Sequence, residues 1–261
     1  TAHERDQTSE FPHEHAKQLA EMGFMGMFVP EEYGGTGLDM FSYVLALEEI
    51  SYACASVGVT MSVQNSLCIW PILAFGTEEQ KNHYLPRLAK GIEIPCFGLT
   101  GPTSGSDAAT MRDIGTVTKG MHEGKEVVGI RLSWDKRYIT LGPVATLLGL
   151  AFKLYDPDGL LGQDKDIGIT VALIPTSHPG VNIGRRHFPL NAVFQNGPNW
   201  GTDVFMPLEW IIGGPKMAGQ GWRMLVEQLS VGRCISLPSN STGGAKAAIY
   251  ASTAYARIRK Q

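Results

Sequence analysis

Two short stretches hold most of the groups that could do chemistry. Cys96-Phe97-Gly98-Leu99-Thr100 alternates as a strand does and runs into Gly101-Pro102-Thr103-Ser104-Gly105-Ser106-Asp107, a turn crowded with glycine and hydroxyl side chains. Pro102 and Gly105 end the strand and leave backbone N–H groups and hydroxyls free, a cradle for the polar edge of a cofactor. The second stretch, Trp134-Asp135-Lys136-Arg137-Tyr138-Ile139-Thr140, is again strand-like, with an aromatic two places before a threonine. Thr100 and Thr140 are short hydroxyl donors at strand ends. Each stretch taken alone also fits a plain structural role: glycine and serine clusters are ordinarily loops, and Trp134 and Tyr138 ordinary core or surface aromatics.

Other reactive groups in the chain form no pattern. His13, His15, His83, His122, His178 and His187 show no metal-ligand spacing with Cys, Asp or Glu and are read as structural or exposed, with no metal expected. Arg185-Arg186-His187 reads as a solvated basic run, because no phosphate-loop pattern accompanies it. Cys54, Cys68, Cys96 and Cys234 are far apart, form no C-x-x-C pair and read as buried thiols of a reducing compartment. The net charge of -3 argues against a nucleic-acid surface. No uninterrupted apolar run of bilayer-spanning length and no signal-peptide pattern is read along the chain.

The elements that position the two stretches follow from hydrophobic period. Thr1 to Glu10 is polar and read as frayed; Pro12 to Met22 reads as a helix with Leu19 and Met22 inward, ended by Gly23. Asp39 caps a helix carrying Tyr43, Leu47 and Ile50, a second helical stretch runs from Val57 to Phe75, and Thr77 caps a third over Glu79 to Leu88. At Ile94 the period changes from 3.6 to 2. Glu126 to Leu132, Ala145 to Phe152 and Gly168 to Ile174 are short, β-branched and separated by Gly, Pro and Asp, the pattern of an antiparallel barrel or sandwich. From Gly221 the helical period returns with Trp222, Leu225 and Leu229, and again over Gly243 to Gln261. The fold class is therefore α+β: an N-terminal helical domain (1–93), a central antiparallel β-barrel or sandwich domain (94–213), and the start of a C-terminal helical bundle (214–261).

The two stretches together resemble the acyl-CoA dehydrogenase family, whose middle domain carries L-T-E-P-x-A-G-S-D and G-x-K-x-W-I-T strands. Gly101 stands where that family usually has glutamate, and Tyr138 where it usually has tryptophan. The N-terminal part is similar too, in Pro30-Glu31-Glu32-Tyr33-Gly34-Gly35-Thr36-Gly37 and in the run from Phe75 to Gly91. The resemblance implies FAD-dependent α,β-dehydrogenation of an acyl-CoA thioester to a trans-2-enoyl-CoA in fatty acid β-oxidation. By it Phe97, Leu99, Thr100, Gly105, Ser106, Tyr138 and Thr140 line the flavin and its ribityl chain. Ser106 also lies near the pantetheine arm, Arg233 reaches the CoA part, and Arg259 reaches the FAD diphosphate of a neighbouring subunit in a homodimer or homotetramer.

Likeness to the large bacterial fatty-acid-oxidation type, over Lys136 to Thr140 and Arg185 to Gly197, implies a medium- to long-chain acyl group. Val57, Val59, Met61, Val63 and Leu67 would border its tail, with Trp70 closing the tunnel. An electron-accepting flavoprotein is the implied partner and the cytoplasm the implied location, associated with the inner face of the membrane through parts outside this span. Gly232 occupies the place where some family members carry the catalytic glutamate, and Glu227, six residues before Arg233, lies off its line on the helix. The base is therefore expected outside these residues, and the span alone is expected to be inactive. A same-fold flavin oxidase, a catalytically inactive relative acting as an assembly partner, and an unrelated binding protein are the alternatives.

Overall fold

A computed structural model of the chain describes residues 2–162 and 164–260, so the outer ends of the first and last expected stretches, Thr1 and Gln261, lie outside the described residues. The chain opens with α1 (Ala2–Thr8) and α2 (His13–Glu21). The segment expected to fray is thus a short helix, closed by the Ser9 N–H donating to the Arg5 carbonyl at 2.7 Å. Gly23 ends α2 in the left-handed region at φ +83°, where a side chain would be strained. Met22, expected inward, is 60% exposed, because as the C-cap it sits where the chain turns away from the Ala16 and Leu19 face.

Local hydrogen bonds set the next boundaries. Asp39 accepts the Ser42 N–H at 2.8 Å and starts α3 (Met40–Ala53). Thr77 and Gln80 form a reciprocal capping box, so α6 (Glu78–Ala89) begins one residue before the expected Glu79. Between them α4 (Ala55–Ser62), a π turn (Val63–Ile69) and α5 (Trp70–Phe75) make one continuous helical run. Pro71 has no N–H and its ring crowds the Leu67 carbonyl, and the wider π turn relieves that conflict. The run is long and apolar enough to cross a bilayer, contrary to the expectation from sequence, but 72% of its apolar window is buried inside the protein. Its apolar length serves the core.

The β region comprises β1 (Pro95–Gly98), β2 (Ile114–His122), β3 (Lys125–Thr140), β4 (Leu147–Tyr155), β5 (Asp166–Pro175), β6 (Asn182–Ile183) and β7 (Asn196–Pro207). They form one curled sheet in the order β1-β4-β2-β3-β7-β6, with β5 on the other edge of β4. The helical, β and helical order is as expected, and most pairings are antiparallel. Two are not: β1 and β2 each run parallel to β4. No helical crossover is needed, because the chain reaches β4 through the long β2–β3 hairpin, whose Glu123-Gly124 turn has positive φ at both residues.

Helices return with α7 (Gly221–Val231), a second π turn (Gly232–Ser236) and α8 (Leu237–Ile258). Leu225 and Leu229 are buried as expected; Trp222 is 44% exposed, because in this first turn Gly221 is the residue pressed onto Ile169 and Thr170 of β5. Gly243 lets α8 lie directly on α3: a Cβ there would stand 2.3 Å from the Glu48 carbonyl oxygen. Sheet and helices share one apolar core, from Tyr43, Leu47 and Met61 to Leu132, Phe152 and Met206. Of the four cysteines only Cys68 and Cys96 are buried; Cys54 is half-buried and Cys234 is exposed on the second π turn, which corrects the reading of all four as buried.

Candidate functional site

The two chemistry-bearing stretches meet at one end of the sheet. The Arg137 N–H donates to the Thr100 carbonyl at 2.9 Å, and Lys136 Nζ donates to the Leu99 carbonyl at 3.0 Å. Lys136 is fully buried, because it falls on the same strand parity as the inward-facing Leu132 and Trp134. Its ammonium is ion-paired with Asp113, itself 5% exposed, and the other carboxylate oxygen of Asp113 accepts the Asp135 N–H at 3.0 Å. Burial holds the Lys136 ammonium below its usual range, and the Asp113 charge opposes that shift. One ion pair thereby fastens the end of β1, the start of β2 and the middle of β3. Neither Lys136 nor Asp113 was singled out from sequence, although the strand parity of Lys136 was the available signal.

Beyond Lys136 the register of β3 against β7 shifts, and Tyr138 takes a φ of +58°. This bulge re-aims the Tyr138 ring, which is 67% exposed, while the Asn196 side-chain amide holds the Tyr138 carbonyl at 2.9 Å. The ring lies 5.0 Å from that of His187. Trp134 is buried, its indole N–H donating to Asn199 Oδ1 at 2.9 Å. Thr100 and Thr140 are half-buried, and among the described residues neither hydroxyl has a hydrogen-bond partner. Two unpaired hydroxyls and an outward aromatic ring on adjacent strand ends fit the edge and face of a planar cofactor.

The remaining expected residues lie at different distances from this centre. Phe97 covers Gly149 of β4, where a Cβ would stand 2.7 Å from its ring, and Leu99 is half-buried against the core. The Gly101 N–H donates to the Ser104 carbonyl at 2.9 Å, and a Cβ on Gly101 would stand 3.1 Å from Ser104 Oγ. The departure from glutamate at that position therefore goes with a tightly closed turn. Pro102, Thr103, Arg112 and Thr202 line a cavity of about 390 Å³ beside it. Gly105 and Ser106 are exposed on the same loop. Arg233 is exposed on the second π turn, where Gly232 packs against Ser66, and Arg259 stands exposed just past α8 with its guanidinium 3.4 Å from the Tyr255 hydroxyl. Glu227 is exposed and ion-paired with Arg223 at 2.8 Å.

Two domain profiles match the chain: "Acyl-CoA dehydrogenase, N-terminal domain" over residues 1–92 and "Acyl-CoA dehydrogenase, middle domain" over residues 96–194. Among curated relatives, Protein HemX of Proteus mirabilis is 67% identical over 104 residues, covering 40% of this chain and 61% of that protein. "Probable acyl-CoA dehydrogenase YngJ" of Bacillus subtilis (strain 168) is 39% identical, over 98% of this chain and 63% of its own length. The mitochondrial short-chain specific acyl-CoA dehydrogenase of Bos taurus is 34% identical, over 97% and 58%. Butyryl-CoA dehydrogenase from Megasphaera elsdenii superposes with a TM-score of 0.84 at 31% identity, covering 99% of this chain and 64% of that one. An acyl-CoA dehydrogenase from Bacillus anthracis complexed with FAD superposes at 0.81 with 29% identity, covering 99% and 40%. The chain thus spans about three fifths of the length of the curated relatives it matches.

These relatives correct the expectation of a medium- to long-chain acyl group. Those whose names state a chain length are short-chain specific, and the Megasphaera enzyme is named for a butyryl thioester. Of the side chains expected to border the tail, Val57, Met61 and Val63 are buried, while Val59, Leu67 and Trp70 are half-buried, the Trp70 ring packing 5.0 Å from that of Phe28.

Proposed function

The chain belongs to the acyl-CoA dehydrogenase family, and on that premise we propose that it serves in the FAD-dependent α,β-dehydrogenation of an acyl-CoA thioester. The observation that carries the reading is the pair of unpartnered hydroxyls, Thr100 and Thr140, on the strand ends joined by the bond from the Arg137 N–H to the Thr100 carbonyl, with the Tyr138 ring exposed in the same stretch. When bound, FAD supplies the acceptor for the β hydrogen, which leaves as hydride. The chain's own residues hold and orient. Thr100 and Thr140 donate to the ring edge, Tyr138 offers a flat face, and the Lys136–Asp113 pair behind them keeps both strand ends in place. Ser106 would meet the ribityl and pantetheine arms and Arg233 the CoA phosphates. The α proton needs a carboxylate base within hydrogen-bond reach. By the resemblance, with Gly232 at one of the places where family members carry it, the base would be a glutamate outside these residues; Glu227 is exposed and paired with Arg223.

Membership in the large bacterial fatty-acid-oxidation subgroup rests on the likeness of Lys136 to Thr140 and Arg185 to Gly197. An electron-accepting flavoprotein would take the reducing equivalents. A homodimer or homotetramer would let Arg259 reach the diphosphate of a neighbouring FAD, and a fully FAD-loaded monomer in sedimentation contradicts that. The main test is the visible spectrum of the full-length protein under anaerobic conditions, before and after addition of acyl-CoA from C4 to C18. A flavin band that bleaches supports the reading, with the relatives pointing to the short end of the series. A colourless protein that takes up no added FAD overturns it.

A further inference from the structure

Helix α8 meets α3 through polar and small side chains. Ser239 Oγ donates to the Val44 carbonyl at 2.8 Å, the Asn240 amide donates to Ser51 Oγ at 2.8 Å, and Lys246 is ion-paired with Glu48. Gly58 of α4 leaves room for this contact: a Cβ there would stand 2.2 Å from Ser51 Oγ and 2.7 Å from the Asn240 amide nitrogen. Hydrogen bonds need defined distances and angles, so α8 cannot slide along α3 without breaking several at once.

Where this seam begins, Tyr43 reaches the second π turn. Its ring is fully buried, 4.7 Å from that of Phe28, and its hydroxyl donates to Ser236 Oγ at 2.9 Å. Burial raises the Tyr43 pKa above its ordinary value, against the opposing effect of the Ser236, Ser62 and Ser66 hydroxyls, so the group remains a neutral O–H donor. Ser236 is itself fully buried and closes the turn Gly232–Ser236. At the first residue of the turn, Gly232 lies against the first π turn, where a Cβ would stand 3.2 Å from Ser66 Oγ. Pro238 accounts for the widened backbone: it has no N–H and its ring crowds the Cys234 carbonyl, as Pro71 does that of Leu67.

This turn presents Arg233. Arg233 is exposed, and among the described residues its guanidinium has no hydrogen bond or ion pair. Its place is therefore set by the backbone beneath it. Among the described residues, the bond from Tyr43 to Ser236 is the one side-chain hydrogen bond that leaves Gly232–Ser236, and it spans 193 positions to reach α3. We propose that Tyr43 is a positioning residue: through Ser236 it fixes the second π turn so that Arg233 meets the phosphates of the CoA ligand. The role rests on the assignment of Arg233 under the proposed function; the bond itself does not.

The experiment titrates CoA into the full-length, FAD-loaded protein by calorimetry. Arg233→Ala weakens binding by about tenfold or more, as for a charge-assisted bond, and Tyr43→Phe, which removes only the hydroxyl, weakens it by about fivefold. Ser236→Ala matches Tyr43→Phe. In the Arg233→Ala background Tyr43→Phe has no further effect, because the group it positions is gone. The limiting rate of flavin reduction by butyryl-CoA stays at the wild-type value in Tyr43→Phe while the concentration giving half that rate rises, the split expected of a group that acts on binding. A Tyr43→Phe protein with a lowered thermal midpoint but wild-type CoA affinity overturns the proposal. So does an equal loss of affinity in both backgrounds, since either result marks a general structural role. If Arg233→Ala binds CoA as tightly as wild type, the assignment of Arg233 falls and the positioning role with it. Flavin bleaching by acyl-CoA is read separately, so failure of the positioning role and failure of the dehydrogenase reading are distinguishable.

Discussion

Replacing Lys136 by methionine tests the fastening beneath the candidate site. The ammonium is fully buried and paired with a carboxylate that is 5% exposed, so the substitution keeps the apolar stem and strands the Asp113 charge. Breaking a buried pair from one side costs about 3 to 5 kcal/mol, most of it from the uncompensated partner. The lost bond to the Leu99 carbonyl falls within that figure. A domain of this size has a stability of about 5 to 15 kcal/mol, so Lys136→Met still folds at 25 °C but unfolds at a clearly lower urea concentration with the slope unchanged. The Lys136→Met/Asp113→Leu double variant carries no stranded charge. It leaves unpaired only the Leu99 carbonyl and the Asp135 N–H, and should be less destabilised than the sum of the single variants by roughly 2 kcal/mol or more. Flavin retention should fall in step with Lys136→Met, since Leu99 and Thr100 lose their anchor on β3. A cost under about 1 kcal/mol for Lys136→Met, or additive single and double variants, would refute the reasoning.

Four further outcomes follow from the same structure. Gln80 is 7% exposed, donates to the Glu209 and Ile211 carbonyls at 2.8 and 2.7 Å, and accepts from the Gly213 N–H at 2.9 Å. Gln80→Leu should cost about 2 to 4 kcal/mol in urea unfolding, and a cost under about 1 would mean that the buried groups find other partners. Thr140→Val should weaken FAD binding by about 1 to 2 kcal/mol in a fluorescence titration, and unchanged affinity removes Thr140 from the site. The Ser42 backbone N–H holds the Asp39 carboxyl below its ordinary range. Its contribution is therefore complete above the ordinary aspartate value of about 3.9 and is lost as pH falls through the lower folded value. Asp39→Asn keeps the cap, so the stability difference between the two proteins should be constant near neutrality and change only in acid; a flat difference throughout rejects the assignment. Burial pushes the Cys68 thiol up to about 12 and raises that of Cys96 as well. At neutral pH a thiol reagent should modify Cys234 readily and Cys54 slowly, reaching Cys68 and Cys96 only in denaturant; rapid modification of all four in the native protein would contradict the burial.

What the sequence determined by itself is what short-range chemistry controls. The Asp39 and Thr77 caps, the stop at Gly23, the change of period at Ile94 and the return of helix at Gly221 each depend on groups a few residues apart, within reach of one turn or one strand period. Thr100 and Thr140 stand out as candidate ligand groups because their motifs are contiguous. The tertiary structure alone decided which stretches meet. Lys136 finds Asp113 across 23 positions, Gln80 finds Ile211 across 131, and Arg186 finds Ser9 across 177, and no spacing rule records such pairings. The parallel seating of β1 on β4 and the outward throw of Tyr138 by a bulge belong to the same class, because a sheet's register is set by its neighbours. Met22 and Trp222 sit in helical patterns yet face water, since periodicity gives the side of a helix but not how far the covering layer extends. A basic cleft joins Arg137 of β3 to Arg185 and Trp200 from the loop and strand beyond, and exists only once β3 and β7 are paired.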